Sequence, residues 1–205
     1  MITYLLIGTL LGLSAGFAPG PLLTLVISES LQHDMKAGIK VAFSPMISDL
    51  PIILLTVLIL GKLSNFHSVL GIISLIGGLV LLYMGYQGLR VKNLEFKLGE
   101  KNPKSLTKGT IVNLLNPHPY LFWLSVGAPT ITKTMKQGII PTASFILSFY
   151  LFLVGSKVML AIMVGKSRSF LIGKWYLYSM RFLAVLLCFF ALVLFREGLN
   201  LLKII

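Results

Sequence analysis

The chain is poor in the residues on which most enzymes and disulfide-built domains depend. Its 205 residues include one cysteine, Cys188, three histidines and six acidic residues, and only 12% are charged, about half the ~25% usual for soluble domains. A lone cysteine cannot close an internal disulfide or run a thiol–disulfide relay, which needs a pair. The histidines, His33, His67 and His118, are scattered, and no HExxH, paired-cysteine, phosphate-loop or GxSxG pattern occurs. These absences point away from an enzyme and imply no cofactor or metal.

What the chain has in excess is apolar surface. Hydrophobic residues make up 56% and the mean hydropathy is +0.91, more than a soluble domain of this size can bury, so the expectation is a lipid-embedded protein. The net charge is +12, from 18 Lys and Arg against 6 Asp and Glu. No basic stretch is interleaved with aromatics as a strand-binding surface needs, so nucleic acid is not the expected partner. Lys and Arg gather instead in cytoplasmic loops of membrane proteins.

Six apolar stretches follow one another: 1–28, 41–61, 64–89, 109–132, 137–165 and 175–195. The first, third and fourth carry no charge, and the others carry Asp49, Lys157 and Arg181 respectively. Each exceeds the ~20 residues that cross a bilayer core, and lipid demands internally satisfied backbone, hence helices. The first stretch lacks a basic start and is too long for a cleaved signal, so it is expected to stay as a helix. Six spans leave one membrane domain over residues 1–205, with both termini outside a multi-pass cell membrane. That orientation follows from Lys and Arg: one side carries Lys36, Lys40, Arg90, Lys92, Lys97, Lys101, Lys104, Lys108, Lys166, Arg168 and Lys174, the other only Lys62, Lys133, Lys136, Arg196 and Lys203. The polar segment 90–108 is then a cytoplasmic connector.

Sliding the sequence by 100 residues superposes MKAGIKVAFSPMIS (35–48) on MKQGIIPTASFILS (135–148), with six identities including Ser44/Ser144 and Ser48/Ser148. The same offset sets Pro19 on Pro119. Residues 1–89 and 109–205 thus read as two three-helix repeats. An odd number of spans inverts the second copy, as in many secondary transporters, whose substrate sites lie at broken helices in matching positions. Ala18-Pro19-Gly20-Pro21 and Asn116-Pro117-His118-Pro119 supply such a pair. Each proline removes a backbone donor and clashes with the preceding turn, which lipid tolerates only beside a cavity or a protein partner.

Other residues carry weaker signals. Gly8, Gly12, Gly16 and Gly20 line one face of the first helix; an intramolecular seam fits best, and a contact in a homo-oligomer also fits. Ser44, Ser48, Ser144 and Ser148 mark one face each of the second and fifth helices and could line a pathway or serve packing. Trp175, Tyr176 and Tyr178 read as an interfacial belt, and Arg181 as a snorkelling residue. Asp49 falls about eleven residues into the second span, roughly 16 Å deep at 1.5 Å per residue. A carboxyl there can hold a substrate ammonium or exchange a proton, and it reads as the only acid deep in any span. Lys157 reads either as its ion-pair partner or gate, or as a snorkelling lysine.

These residues resemble the LysE/RhtB family of amino-acid exporters. The resemblance rests on Ala18-Pro19-Gly20-Pro21, Ser28 to Gly38 (SESLQHDMKAG), Ile47-Ser48-Asp49, and Val112-Asn113-Leu114-Leu115-Asn116-Pro117 followed by Phe122. It implies export of amino acids or related small zwitterions from the cytoplasm, in exchange for protons. The chain departs from the family in having His118 where many members have lysine, and in carrying Lys157. Two other readings compete: a carrier of a metal cation or inorganic ion on the same scaffold, and a membrane scaffold without a transport cycle. A metal carrier should show several Asp, Glu, His or Cys in its spans, and a scaffold needs neither a midplane acid nor paired helix breaks.

Overall fold

The computed structural model describes residues 2–59, 66–89, 104–167 and 174–203, and within them the regular structure is helical. The first expected span is two helices, α1 (Ile2–Phe17) and α2 (Pro21–Gln32), bent by 62° across Ala18–Gly20. Pro21 ends the ladder of α1 and supplies a ready-made first residue for α2. Asp34 then caps α3 (Met35–Ala42) by accepting a hydrogen bond from the Ala37 amide at 2.7 Å. Only Phe43 separates α3 from α4 (Ser44–Ile59). The second span therefore starts at Met35, six residues before the expected Val41, because the cap at Asp34 starts the helix before the apolar run does.

Next come α5 (Phe66–Leu89), α6 (Ser105–Leu114) and α7 (Pro117–Phe122). A π-helical turn over Trp123–Gly127 leads into α8 (Ala128–Met135). Gly138, with φ +118°, allows the reversal into α9 (Ile139–Ser167), and α10 (Lys174–Leu201) completes the chain. Among the described residues, four helical stretches are long and apolar enough to cross a membrane, or five with the bent α1–α2 pair. The expected fourth span, 109–132, is the exception to six: it is divided among α6, α7, the π turn and α8. Of the segment 90–108, residues 90–103 lie outside the described residues, and Ser105 to Lys108 belong to α6 rather than to a loop.

The outward faces are apolar, with Leu50, Leu54, Leu147, Leu151, Phe189 and Leu192 exposed. A hydrophobic exterior of this kind suits hydrocarbon, not water. Inside, small residues let helices approach closely. Gly8 faces Ser148, Gly12 faces the Phe149 carbonyl and Gly16 faces Ser156, so the stripe seats α1 on α9 within one chain. Gly71, Gly78 and Gly85 do the same for α5 against α10, meeting Leu202, Phe195 and Cys188. An aromatic cluster of Tyr120, Trp123 and Phe149, joined by Ile52 and Leu153, fills the space between α4, α7 and α9.

Candidate functional site

The two helix breaks meet at one cavity of about 470 Å³. Ala18, Pro19, Gly20 and Pro21 form one side, and Asn116, His118 and Pro119 another. Pro117 is buried at the start of α7. Asp49 from α4, Asn113 from α6 and Lys157 from α9 complete its polar lining. Each break has its own local chemistry. Asn116 accepts a hydrogen bond from the His118 amide at 3.1 Å, which caps α7. The Tyr120 hydroxyl donates to the Leu114 carbonyl at 2.9 Å, covering an acceptor that α6 leaves free on ending. At the other break no side chain caps the N-terminus of α2, where Gly20 is fully extended and a side chain at its position would enter open space. That helix end, with its free amides and partial positive charge, borders the cavity through Leu22 and Leu23.

Asp49 is 4% exposed. Asn113 donates to its Oδ1 at 2.9 Å and the Tyr150 hydroxyl to its Oδ2 at 3.2 Å. Asn113 also donates to Ser48 Oγ at 2.7 Å. The carboxylate is thus held by neutral donors alone. Lys157, also 4% exposed, is buried rather than snorkelling, and its hydrogen bonds go to backbone rather than to Asp49. Its ammonium donates to the carbonyls of Ala15 at 3.1 Å and Gly16 at 2.8 Å, in the last turn of α1. A cation there satisfies two orphan carbonyls and complements the negative end of the helix dipole. Acid and amine face the same cavity from separate anchorages.

The four serines stand elsewhere. Ser44 bonds to the Val41 carbonyl and Ser48 to the Ser44 carbonyl, and Ser48 reaches the site only through Asn113. Ser144 bonds within its own helix, and Ser148 lies in the α1–α9 seam. None of the four borders the cavity. His118 does, and its Nε2 lies 3.3 Å from Glu197 of α10, which ties the second break to the last helix.

The sequence reading singled out Asp49 alone among the acids, and the structure adds a second buried one. Glu29, in α2, is 2% exposed. Ser105 Oγ donates to its Oε2 at 2.5 Å and Lys108 Nζ to its Oε1 at 2.7 Å, with His33 Nε2 3.8 Å away. Its partners are 76 and 79 residues distant in sequence, so the one local signal was His33, four residues on along the same helix.

Apolar outer faces, long helices broken at a shared interior cavity and a buried acid and amine on its wall define a multi-pass membrane transporter for a small molecule. The chain belongs to the LysE type translocator family, whose model matches residues 13–198. No curated protein and no solved structure matches it.

Proposed function

We propose that the protein exports amino acids or related small zwitterions from the cytoplasm in exchange for protons. The observation that carries this reading is one cavity bearing both a buried carboxylate and a buried ammonium, each hydrogen-bonded to different partners. A zwitterion matches both. Its ammonium fits at Asp49. Its carboxylate fits toward Lys157 and the uncapped N-terminus of α2, where amide dipoles favour negative charge. A proton delivered from outside neutralises Asp49 and releases the amine; inward exposure ionises it again.

The inverted repeat expected from the sequence fits the same reading. At the offset of 100, α1 falls on α6 and α2 falls on residues 121–132, from the end of α7 into α8, and the packing of α1 on α9 matches that of α6 on α4. On this reading the two halves rock about the shared cavity, with both termini outside the cell membrane. Among the described residues no group of three or more His, Cys, Asp or Glu comes together, which favours an organic cargo over a metal ion. The test is efflux from cells loaded with a mixed amino-acid pool. Cells expressing the protein should lose at least one amino acid faster than cells without it, and a protonophore should remove the difference. Identical efflux from both contradicts the reading.

A further inference from the structure

Resting on that reading, we propose that the cavity selects amino acids with uncharged, apolar side chains, the class of leucine and phenylalanine. The argument is one of polar groups available against polar groups engaged. Asp49 and Lys157 match the two backbone charges that every amino acid carries. The other polar residues of the lining are neutral amides or already tied within the protein: the Asn113 amide donates to Ser48 and Asp49, the Asn116 oxygen accepts from the His118 amide, and the His118 ring sits beside Glu197. No carboxylate or ammonium on the wall is left to meet a third charge.

The rest of the wall is hydrocarbon and aromatic. Phe122 and Phe149 stack at 5.1 Å with 10° between their planes, and Trp123 meets Phe149 edge-on at 5.6 Å. Leu153 from α9 and Phe190 and Leu194 from α10 extend this surface. An apolar side chain gains by leaving water for such a wall. A lysine or glutamate side chain would lose its hydration there without a partner, which disfavours it strongly. The volume of about 470 Å³ falls in the range of roughly 300–1,000 Å³ that small-molecule sites occupy, so a bulky aromatic side chain fits as well as a branched one.

The test uses the purified full chain in liposomes loaded with an equal mixture of leucine, phenylalanine, lysine and glutamate, with counterflow of each labelled amino acid measured in turn. Leucine and phenylalanine should enter at least ~tenfold faster than lysine and glutamate, a difference equivalent to about 1.4 kcal/mol. If lysine or glutamate moves as fast as leucine, the exporter reading stands and the proposed selectivity falls. If none of the four moves, the proposed selectivity falls, and the mixed-pool efflux decides the exporter reading. Val193→Asp sharpens the test, because Val193 borders the cavity and the variant adds a carboxylate to its apolar side. Its lysine-to-leucine ratio should rise at least ~tenfold over wild type, whatever fraction of the preparation is folded. An unchanged ratio in transporting protein contradicts the assignment of that wall to the substrate side chain.

Discussion

Two buried acids, almost equally hidden, are treated in opposite ways. Glu29, 2% exposed, touches its countercharge: Lys108 at 2.7 Å, with the Ser105 hydroxyl at 2.5 Å. It borders no part of the central cavity. Asp49, 4% exposed, is held by the neutral donors Asn113, Tyr150 and Trp123. Its nearest countercharge, Lys157, is engaged instead by the end of α1. A buried carboxylate in contact with a cation is complete, and it ties α2 to α6. A buried carboxylate whose cation is anchored elsewhere, with a cavity alongside, is complete only when something positive arrives. On the proposed function, the difference separates a charge that holds the fold from one that meets the substrate.

The comparison can be broken from either side. The largest effect on stability should come from Lys108→Met, which leaves Glu29 buried with Ser105 as its remaining close donor. Breaking a buried pair costs ~3–5 kcal/mol, and the low end is expected because the Lys108 side chain is 36% exposed; thermal inactivation in detergent reads it. Gly12→Val drives a side chain into the Phe149 carbonyl. Overpacking of that seam should destabilise by ~1–3 kcal/mol in the same assay. Asp49→Asn should reduce efflux at least ~tenfold, or about 1.4 kcal/mol in the barrier, while the amount of folded protein in the membrane stays near wild type. Efflux at the wild-type rate would place Asp49 with Glu29 among the structural acids.

Smaller effects discriminate further. Glu29→Gln removes the buried charge and can keep an acceptor for Ser105, so it should cost only about 1 kcal/mol and leave substrate selectivity unchanged. A change in selectivity would draw Glu29 into the transport path. Ser144→Ala, at a serine that bonds only within α9, should change stability by less than ~0.5 kcal/mol and leave efflux unaltered.

Much of the frame is legible locally. Uncharged runs of twenty residues and prolines spaced two apart are one-dimensional signals: the first break, Ala18–Gly20, falls at Pro19–Pro21, while the second, Leu115–Asn116, falls just before Pro117 and leaves Pro119 inside α7. Helix ends are less so: the first apolar run was closed at Ser28 because a charge follows, yet α2 continues to Gln32, since Glu29 is neutralised from α6. Lys157 could not be resolved either. Whether a long side chain pairs, snorkels or caps a helix depends on which helix end lies beside it, here that of α1, more than a hundred residues earlier. Ser148 shows the same limit. Its face of α9 was legible, but what that face meets, the Gly8 stripe of α1, was not.

The central claim, that the substrate sits between the two helix breaks, is tested most directly by protection of a single thiol. Gly20 borders the cavity with open space around it, so Gly20→Cys in a Cys188→Ala background adds a small reporter without crowding. With the purified protein, maleimide labelling of this cysteine should slow several-fold as the amino acid that the protein exports is added, and Asp49→Asn should abolish that protection. Labelling that stays unaffected at concentrations saturating transport would contradict the account.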